Sequence, residues 1–344
     1  MSLVPSPSVA PSPSLARPRS KNALALLARF APLIFLLLLM ALFTFLAPRF
    51  LSSLNLFNIL RQVSIFGIVA VGMTFVILTR GIDLSIGALI ALTGLVAAVV
   101  AKGGIPGRLE LTAGGTPFAW YWAALAAIVV GGVAGALQGV FVARLSVPAF
   151  VVTLGGMTIF RGLALIIGNG GPISGFDESF GWWGRGMVGA VPVPVIVFLV
   201  VVVIAGFVLH STRYGRSVYA IGSNPEAARL CGLNVNRTLV SVYALTGLCA
   251  GLGGFLLASR LNSAEAVAGN QYELNVIAAV VIGGTSLYGG TGSIAGTVIG
   301  TLLIGVLLNG LVILNVSPYV QQLLIGAIIV GAVTFDIFIK KYKR

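Results

Sequence analysis

Residues 191–210 read VPVPVIVFLVVVVIAGFVLH, and residues 211–237 continue STRYGRSVYAIGSNPEAARLCGLNVNR. The first run carries no Asp, Glu, Lys or Arg and matches the roughly twenty residues a helix needs to cross the hydrocarbon of a bilayer. The second carries Arg213, Arg216, Arg229 and Arg237. An apolar run that hands over to a basic polar stretch is the signature of a membrane-spanning helix followed by an inner loop.

That loop encodes a helix of its own, with start and stop signals. Asn224 can cap the first orphan backbone N–H groups, Pro225 suits the first helical position, and Glu226 faces the positive end of the macrodipole. Ala227, Ala228, Arg229 and Leu230 propagate well, and Gly232 is placed to close the helix in a left-handed conformation. About two turns are encoded. So short a helix is marginal alone in water, so it calls for a docking surface in this protein or in a partner.

The rest of the 344-residue chain repeats the apolar theme. It is 58% hydrophobic and 8% charged, with mean hydropathy +1.07, whereas soluble domains carry about 25% charged residues. Apolar runs fall at 29–47, 62–79, 84–101, 117–143, 149–168, 191–210, 238–259, 273–288, 294–314 and 318–338. The expected fold is therefore an all-α polytopic membrane protein of about ten transmembrane helices. A barrel would need short alternating strands, which the pattern lacks. Forty-five glycines fit close helix–helix approach in lipid.

Charge sets the expected orientation. The net charge is +13, but the basic residues stand at the ends of apolar runs, which argues for topology signals and against a nucleic-acid patch. With the N-terminus inside, Arg17, Arg19, Lys21, Arg29, Arg80, Arg144, the four loop arginines and Lys340, Lys341, Lys343 and Arg344 lie in the cytoplasm. Arg49, Arg61, Lys102, Arg108, Arg161, Arg185 and Arg260 lie elsewhere. Ten spans keep both termini cytoplasmic, which satisfies the positive-inside rule.

Three regions result. Residues 1–28 form a Pro/Ser-rich disordered tail that cannot bury a core. Residues 29–339 form the transmembrane domain, with the inner loop at 211–237, and 340–344 is a short basic tail. The run at 29–47 is long for a signal peptide, and Pro48 follows Ala47 where cleavage would fall, so it reads as a retained anchor. Cys231 and Cys249 make no disulfide framework.

Motifs exclude several functions. The turn Tyr288-Gly289-Gly290-Thr291-Gly292-Ser293 lacks the Gly-Lys-Ser/Thr of a phosphate loop. His210 is the only histidine, and no cluster has metal-ligand spacing. Acidic groups within the spans form no relay of the kind a proton-coupled carrier uses.

A few polar residues in apolar surroundings are candidates for the translocation path. Asp83 and Ser85 either cap the span they precede or belong to a broken-helix element, Thr79 to Ser85, lining a pathway. Arg161 either snorkels or points at a cavity or partner. Asn275, Thr285 and Ser286 can bond a polar solute such as a sugar, or neighbouring helices. The stretch Val69 to Gly87 also weakly matches Val280 to Gly296, as in carriers built from internal repeats.

Gly81-Ile82-Asp83-Leu84-Ser85, Thr153-Leu154-Gly155-Gly156-Met157, the capped helix Asn224 to Gly232, and Ala278 to Ser286 together resemble the membrane permease of ribose/xylose-type ATP-binding-cassette importers. The similarity runs over about residues 50–340, in a broader group that also serves other sugars, nucleosides and branched-chain amino acids. Asn275 departs from the Asp, and Thr291 from the basic residue, that many sugar relatives carry. The resemblance implies a permease homodimer in the bacterial inner membrane, cytoplasmic ATPase subunits and an extracytoplasmic solute-binding protein. It assigns Asn224 to Gly232 as the coupling helix that docks on the ATPase. The chain itself would bind no cofactor and hydrolyse no ATP; ATP is used by the partner. The expected solute is a monosaccharide, a pentose such as ribose or xylose, with nucleosides or branched-chain amino acids as the alternative and an ion-coupled secondary carrier as the more distant one.

Overall fold

Backbone N–H and C=O groups find no water in hydrocarbon, so each apolar run must satisfy them internally and becomes a helix. The computed structural model describes residues 20–105, 109–112 and 116–343, without the side chains of 20–30, 109–110, 332–333 and 335–343. Arg108, residues 1–19 of the Pro/Ser-rich tail, and the side chains of the 340–344 tail lie outside what is described. The chain divides into two units, Met1–Ala31 and Pro32–Arg344. Within the first, helical backbone begins at Ser20, inside the stretch read from sequence as tail.

Thirteen helices occur among the described residues: α1 (Ser20–Leu46), α2 (Ser53–Leu78), α3 (Ile86–Ala101), α4 (Trp120–Ala143), α5 (Ala149–Gly168), α6 (Glu178–Arg185), α7 (Val193–Ser211), α8 (Arg213–Ser223), α9 (Pro225–Leu230), α10 (Val235–Leu261), α11 (Tyr272–Ile282), α12 (Ile294–Ile313) and α13 (Pro318–Lys343). Three antiparallel two-residue pairs qualify the all-α expectation: β1 (Gly104–Ile105) with β2 (Leu109–Glu110), β3 (Ile173–Ser174) with β6 (Ser263–Ala264), and β4 (Met187–Val188) with β5 (Val191–Pro192). They tie loops together and form no barrel or sandwich.

Six helices (α2, α4, α5, α7, α10 and α12) are long and apolar enough to cross a bilayer. Among the residues whose side chains are described, the apolar stretches of α1, α3, α11 and α13 are shorter. Of the about ten transmembrane helices expected, six are thus present at full length among the described residues, and the other four are not shown so. The reason is local for two of them: α3 and α11 each begin after a stretch of non-helical backbone. Eleven residues of α11 rise only about 16 Å, half the thickness of the hydrocarbon layer.

α2 forms the central column, buried on all sides from Val63 to Leu78, and α3 is similarly enclosed. A close, glycine-lined seam runs between α4 and α10. A Cβ on Gly131 would overlap the Gly247 carbonyl oxygen, and one on Gly135 would overlap the Tyr243 carbonyl oxygen. Only glycine lets these backbones meet, and in lipid that contact replaces the missing hydrophobic drive. Buried hydroxyls add cross-links: Thr74 of α2 meets Thr297 of α12 at 2.6 Å. Large apolar side chains face outward on the flanking helices, including Phe45 (87% exposed), Phe207 (65%) and Leu323 (71%). Such a surface suits lipid and not water.

The helix ends gather into two opposite groups. One carries α8 and α9, the end of α2 and the turn between α11 and α12. The other carries α6, the end of α10, the start of α2 and the end of α12.

Candidate functional site

Two interruptions of helical backbone lie within the bundle, and polar side chains hold both. At the first, residues 79–85 separate α2 from α3. The buried Asp83 Oδ1 accepts from the Ser85 amide (2.8 Å) and from Ser85 Oγ (2.6 Å). This local turn satisfies an amide that precedes the first turn of α3. Neighbouring helices hold the segment in turn: Gln138 Nε2 of α4 donates to Ser85 Oγ at 2.8 Å, and Thr153 Oγ1 of α5 donates to the Ile82 carbonyl oxygen at 3.1 Å. Asp83 thus closes a turn inside the non-helical segment, and Ser85, the residue before α3, makes no side-chain capping bond to that helix.

At the second interruption, residues 262–271 separate α10 from α11. Arg161 of α5 donates to the carbonyl oxygens of Ala266 and, at 3.1 Å, Ala268. The guanidinium therefore ends on backbone acceptors that helix would otherwise occupy, which resolves the costly arginine. Glu273, at the start of α11, supplies the opposite charge near Arg161. Its carboxylate also fills the space beside Gly87 at the start of α3, so the two interruptions touch.

The first interruption connects to the α8–α9 end through Arg80. Its Nε donates to the Gly222 carbonyl oxygen at 2.6 Å and its Nη2 donates to the Ser223 carbonyl oxygen. The Gly290 amide donates to the Leu78 carbonyl oxygen at 3.0 Å, and Tyr219 Oη donates to the Gly292 carbonyl oxygen at 2.8 Å. Partial burial pushes the Tyr219 phenol above its ordinary pKa, so it stays a protonated donor. Three elements (the end of α2, the end of α8 and the 283–293 turn) are thus tied at one point.

Directly beyond that point stands α9. Asn224 Oδ1 accepts from the Glu226 and Ala227 amides at 3.0 and 3.1 Å, and Pro225 occupies the first turn. Gly232 has φ 81°, with Leu233 N bonded to the Ala228 carbonyl oxygen and Gly232 N to that of Arg229, the paired bonds of a Schellman close. Ala228 is buried against Ile221 and Val235, so it anchors α9 to its own chain. Glu226, Ala227, Arg229 and Leu230 point outward, and Leu230 is 89% exposed.

The remaining candidates separate. Thr285 and Ser286 build the 283–293 turn, where the Ser286 amide donates to the Thr291 carbonyl oxygen at 2.9 Å. Asn275 lies elsewhere, lining a cavity of about 240 Å³ with Gln62, Asn309 and Gln321 among others. The structure therefore joins Asp83 and Ser85 in one cluster, places Arg161 at the second interruption, and sets Asn275 apart from Thr285 and Ser286. Sequence reasoning missed Gln138, Tyr219, Gln62, Asn309 and Gln321. Their signal was an isolated amide or phenol within or beside an apolar run.

A helical bundle with interrupted spans that meet inside it, tied to an exposed capped helix at one end, defines a membrane transport subunit of the permease type. The chain belongs to the family described as the permease component of branched-chain amino acid transport systems, matched over residues 55–333. It is 47% identical to the ribose import permease protein RbsC of Escherichia coli (strain K12) over 308 residues, 88% of this chain and 92% of the relative. It is 42% identical to the ribose import permease protein RbsC of Bacillus subtilis (strain 168), covering 90% and 92%. The D-allose transport system permease protein AlsC of Escherichia coli (strain K12) is 37% identical, covering 91% and 93%. No solved structure matches the chain.

Proposed function

We propose that this chain is the membrane subunit of an ATP-driven importer that moves a monosaccharide, ribose or a close analogue, into the bacterial cytoplasm across the inner membrane. The observation that carries the reading is α9: a fully capped, outward-facing helix whose preceding residues are clasped by Arg80 to the interrupted backbone. Similarity to proteins named for ribose and D-allose, over nearly the whole of each chain, supports sugar over the amino acids of the family description.

In this reading the chain has ten spans, the four shorter apolar helices included, with the N-terminal tail, the 211–237 loop and the C-terminus in the cytoplasm. It acts as a homodimer with two ATPase subunits, binds no cofactor and hydrolyses no ATP. An extracytoplasmic binding protein releases solute at the end opposite α9. Closure of the ATPases displaces α9, and α8 follows because only Asn224 separates them. Arg80 and the Gly290–Leu78 bond pass the displacement to residues 79–85 and to the 283–293 turn. The bundle then alternates between outward and inward access around the two interruptions, with Asp83, Ser85 and Arg161 holding their backbone in each state.

The experiment is uptake of labelled ribose by vesicles containing the chain with its ATPase and binding protein. ATP-dependent accumulation is expected. Accumulation that follows an imposed ion gradient without ATP would instead identify an ion-coupled carrier.

A further inference from the structure

The cavity beside Asn275 is lined to an unusual degree by amides. Asn270, Gln271 and Asn275 come from the approach to α11 and its first turn; Gln62 comes from α2, Asn309 from α12, and Gln321 and Gln322 from α13. The other lining residues are Leu308, Val312, Pro318 and Ile325, so no formal charge faces the space. Gln and Asn are uncommon within lipid-embedded helices because each amide needs partners. Four separate elements that converge on one cavity with amides mark a shared ligand better than independent helix contacts.

The local hydrogen bonds leave spare capacity among the amides around that space. Asn309 and Asn55 exchange reciprocal bonds at 2.9 Å, which fixes the Asn309 plane. Gln321 Nε2 donates to the Val316 carbonyl oxygen at 2.9 Å, which leaves its Oε1 as an acceptor. Asn275 Oδ1 is buried and accepts no hydrogen bond among the described residues. A buried acceptor without a partner is destabilising, and a small rotation of the Asn275 amide toward a ligand's donor would relieve it.

From this we propose that the cavity is a solute subsite for one uncharged polyhydroxy molecule of monosaccharide size, and that its amides select such solutes against zwitterions. The proposal rests on the import reading above and adds the site and the basis of its selectivity. Each sugar hydroxyl both donates and accepts, as each amide does, so the two inventories pair without a charge. A free amino acid would bring an ammonium and a carboxylate to walls that offer neither counter-charge, at a large desolvation cost. A volume of about 240 Å³ equals that of about eight liquid waters, the scale of a single small solute. The site lies toward the end opposite α9, near the end of α12 and the start of α13, where a binding protein would release its cargo.

The test uses the complete complex, with ATPase and binding protein, in vesicles. Gln62→Leu and Gln322→Leu are each expected to lower the initial rate of labelled ribose uptake roughly five- to tenfold, the loss of about one net hydrogen bond. Thr158→Val, on the exposed face of α5, should match the parent. If the leucine variants assemble poorly, Gln322→Cys in a Cys231→Ser, Cys249→Ala background replaces them. A membrane-impermeant maleimide added from the binding-protein side should label that cysteine and abolish uptake. A parent complex that takes up no sugar would overturn the import reading. A parent that transports, with leucine variants or maleimide-labelled protein transporting equally fast, would overturn the subsite alone.

Discussion

Arg80 Nε donates to the carbonyl oxygen of Gly222 across 2.6 Å, joining the end of the central helix to the residue two places before the cap of α9. The same arginine has a left-handed backbone, with φ 65°, a conformation that costs a non-glycine residue roughly 1–2 kcal/mol. A residue held in strain where the end of α2 meets the end of α8 indicates that its side-chain bonds are worth more than the strain.

Replacing Arg80 with glycine separates the two effects. Arg80→Gly removes the strain and should leave the melting temperature of the purified subunit unchanged or higher. Uptake per ATP hydrolysed should nevertheless fall by tenfold or more. Equal losses of stability and uptake would mean that Arg80 is only structural.

The outward face of α9 makes a complementary prediction. Leu230→Asp alters a side chain that is 89% exposed, so the melting temperature should stay within a degree or two while co-purification with the ATPase is lost. Gly232→Val should damage both, because valine at φ 81° is strained by roughly 1–2 kcal/mol. Ala228→Glu belongs with the second class, since Ala228 packs against Ile221 and Val235 of its own chain.

At the second interruption, Arg161→Leu strands the carbonyl oxygens of Ala266 and Ala268. A loss of about 1.5–3 kcal/mol is expected for each hydrogen bond to a charged group, read as a lower thermal midpoint together with lost uptake. Arg161→Lys, which keeps a charged donor, should recover part of both.

The α4–α10 seam should be the least tolerant part of the bundle. Gly135→Leu places a side chain where the Tyr243 carbonyl oxygen already stands, and overpacking of this kind costs about 1–3 kcal/mol or more. The expected result is aggregation on extraction in mild detergent. Gly155→Leu, whose Cβ meets nothing within 4 Å, should extract normally.

Much of this was legible in the chain itself. Apolar length placed α5 at 149–168 and α12 within a residue of its end, because hydrocarbon thickness leaves few alternatives. Cap chemistry located α9 from Asn224, Pro225 and Gly232 for the same reason: each residue type answers one backbone need. The run at 273–288 misled, since its apolar residues continue past Ile282 into a turn that is held by its contacts with α2 and α8. Arg80 was read as a topology charge and as one member of the Thr79 to Ser85 element, with no partner assigned. Its partners are backbone carbonyls more than 140 residues away, and carbonyls leave no mark in a sequence. The amides around Asn275 were dispersed over four segments, so only the fold could assemble them.

In the proposed mechanism α9 transmits work from a partner ATPase to the interrupted backbone. ATP hydrolysis and labelled ribose uptake, measured together in vesicles carrying the Arg80→Gly complex, decide it. Retained binding-protein-dependent hydrolysis with uptake reduced at least tenfold is the predicted result. Hydrolysis and uptake that stay coupled at the parent ratio would contradict it.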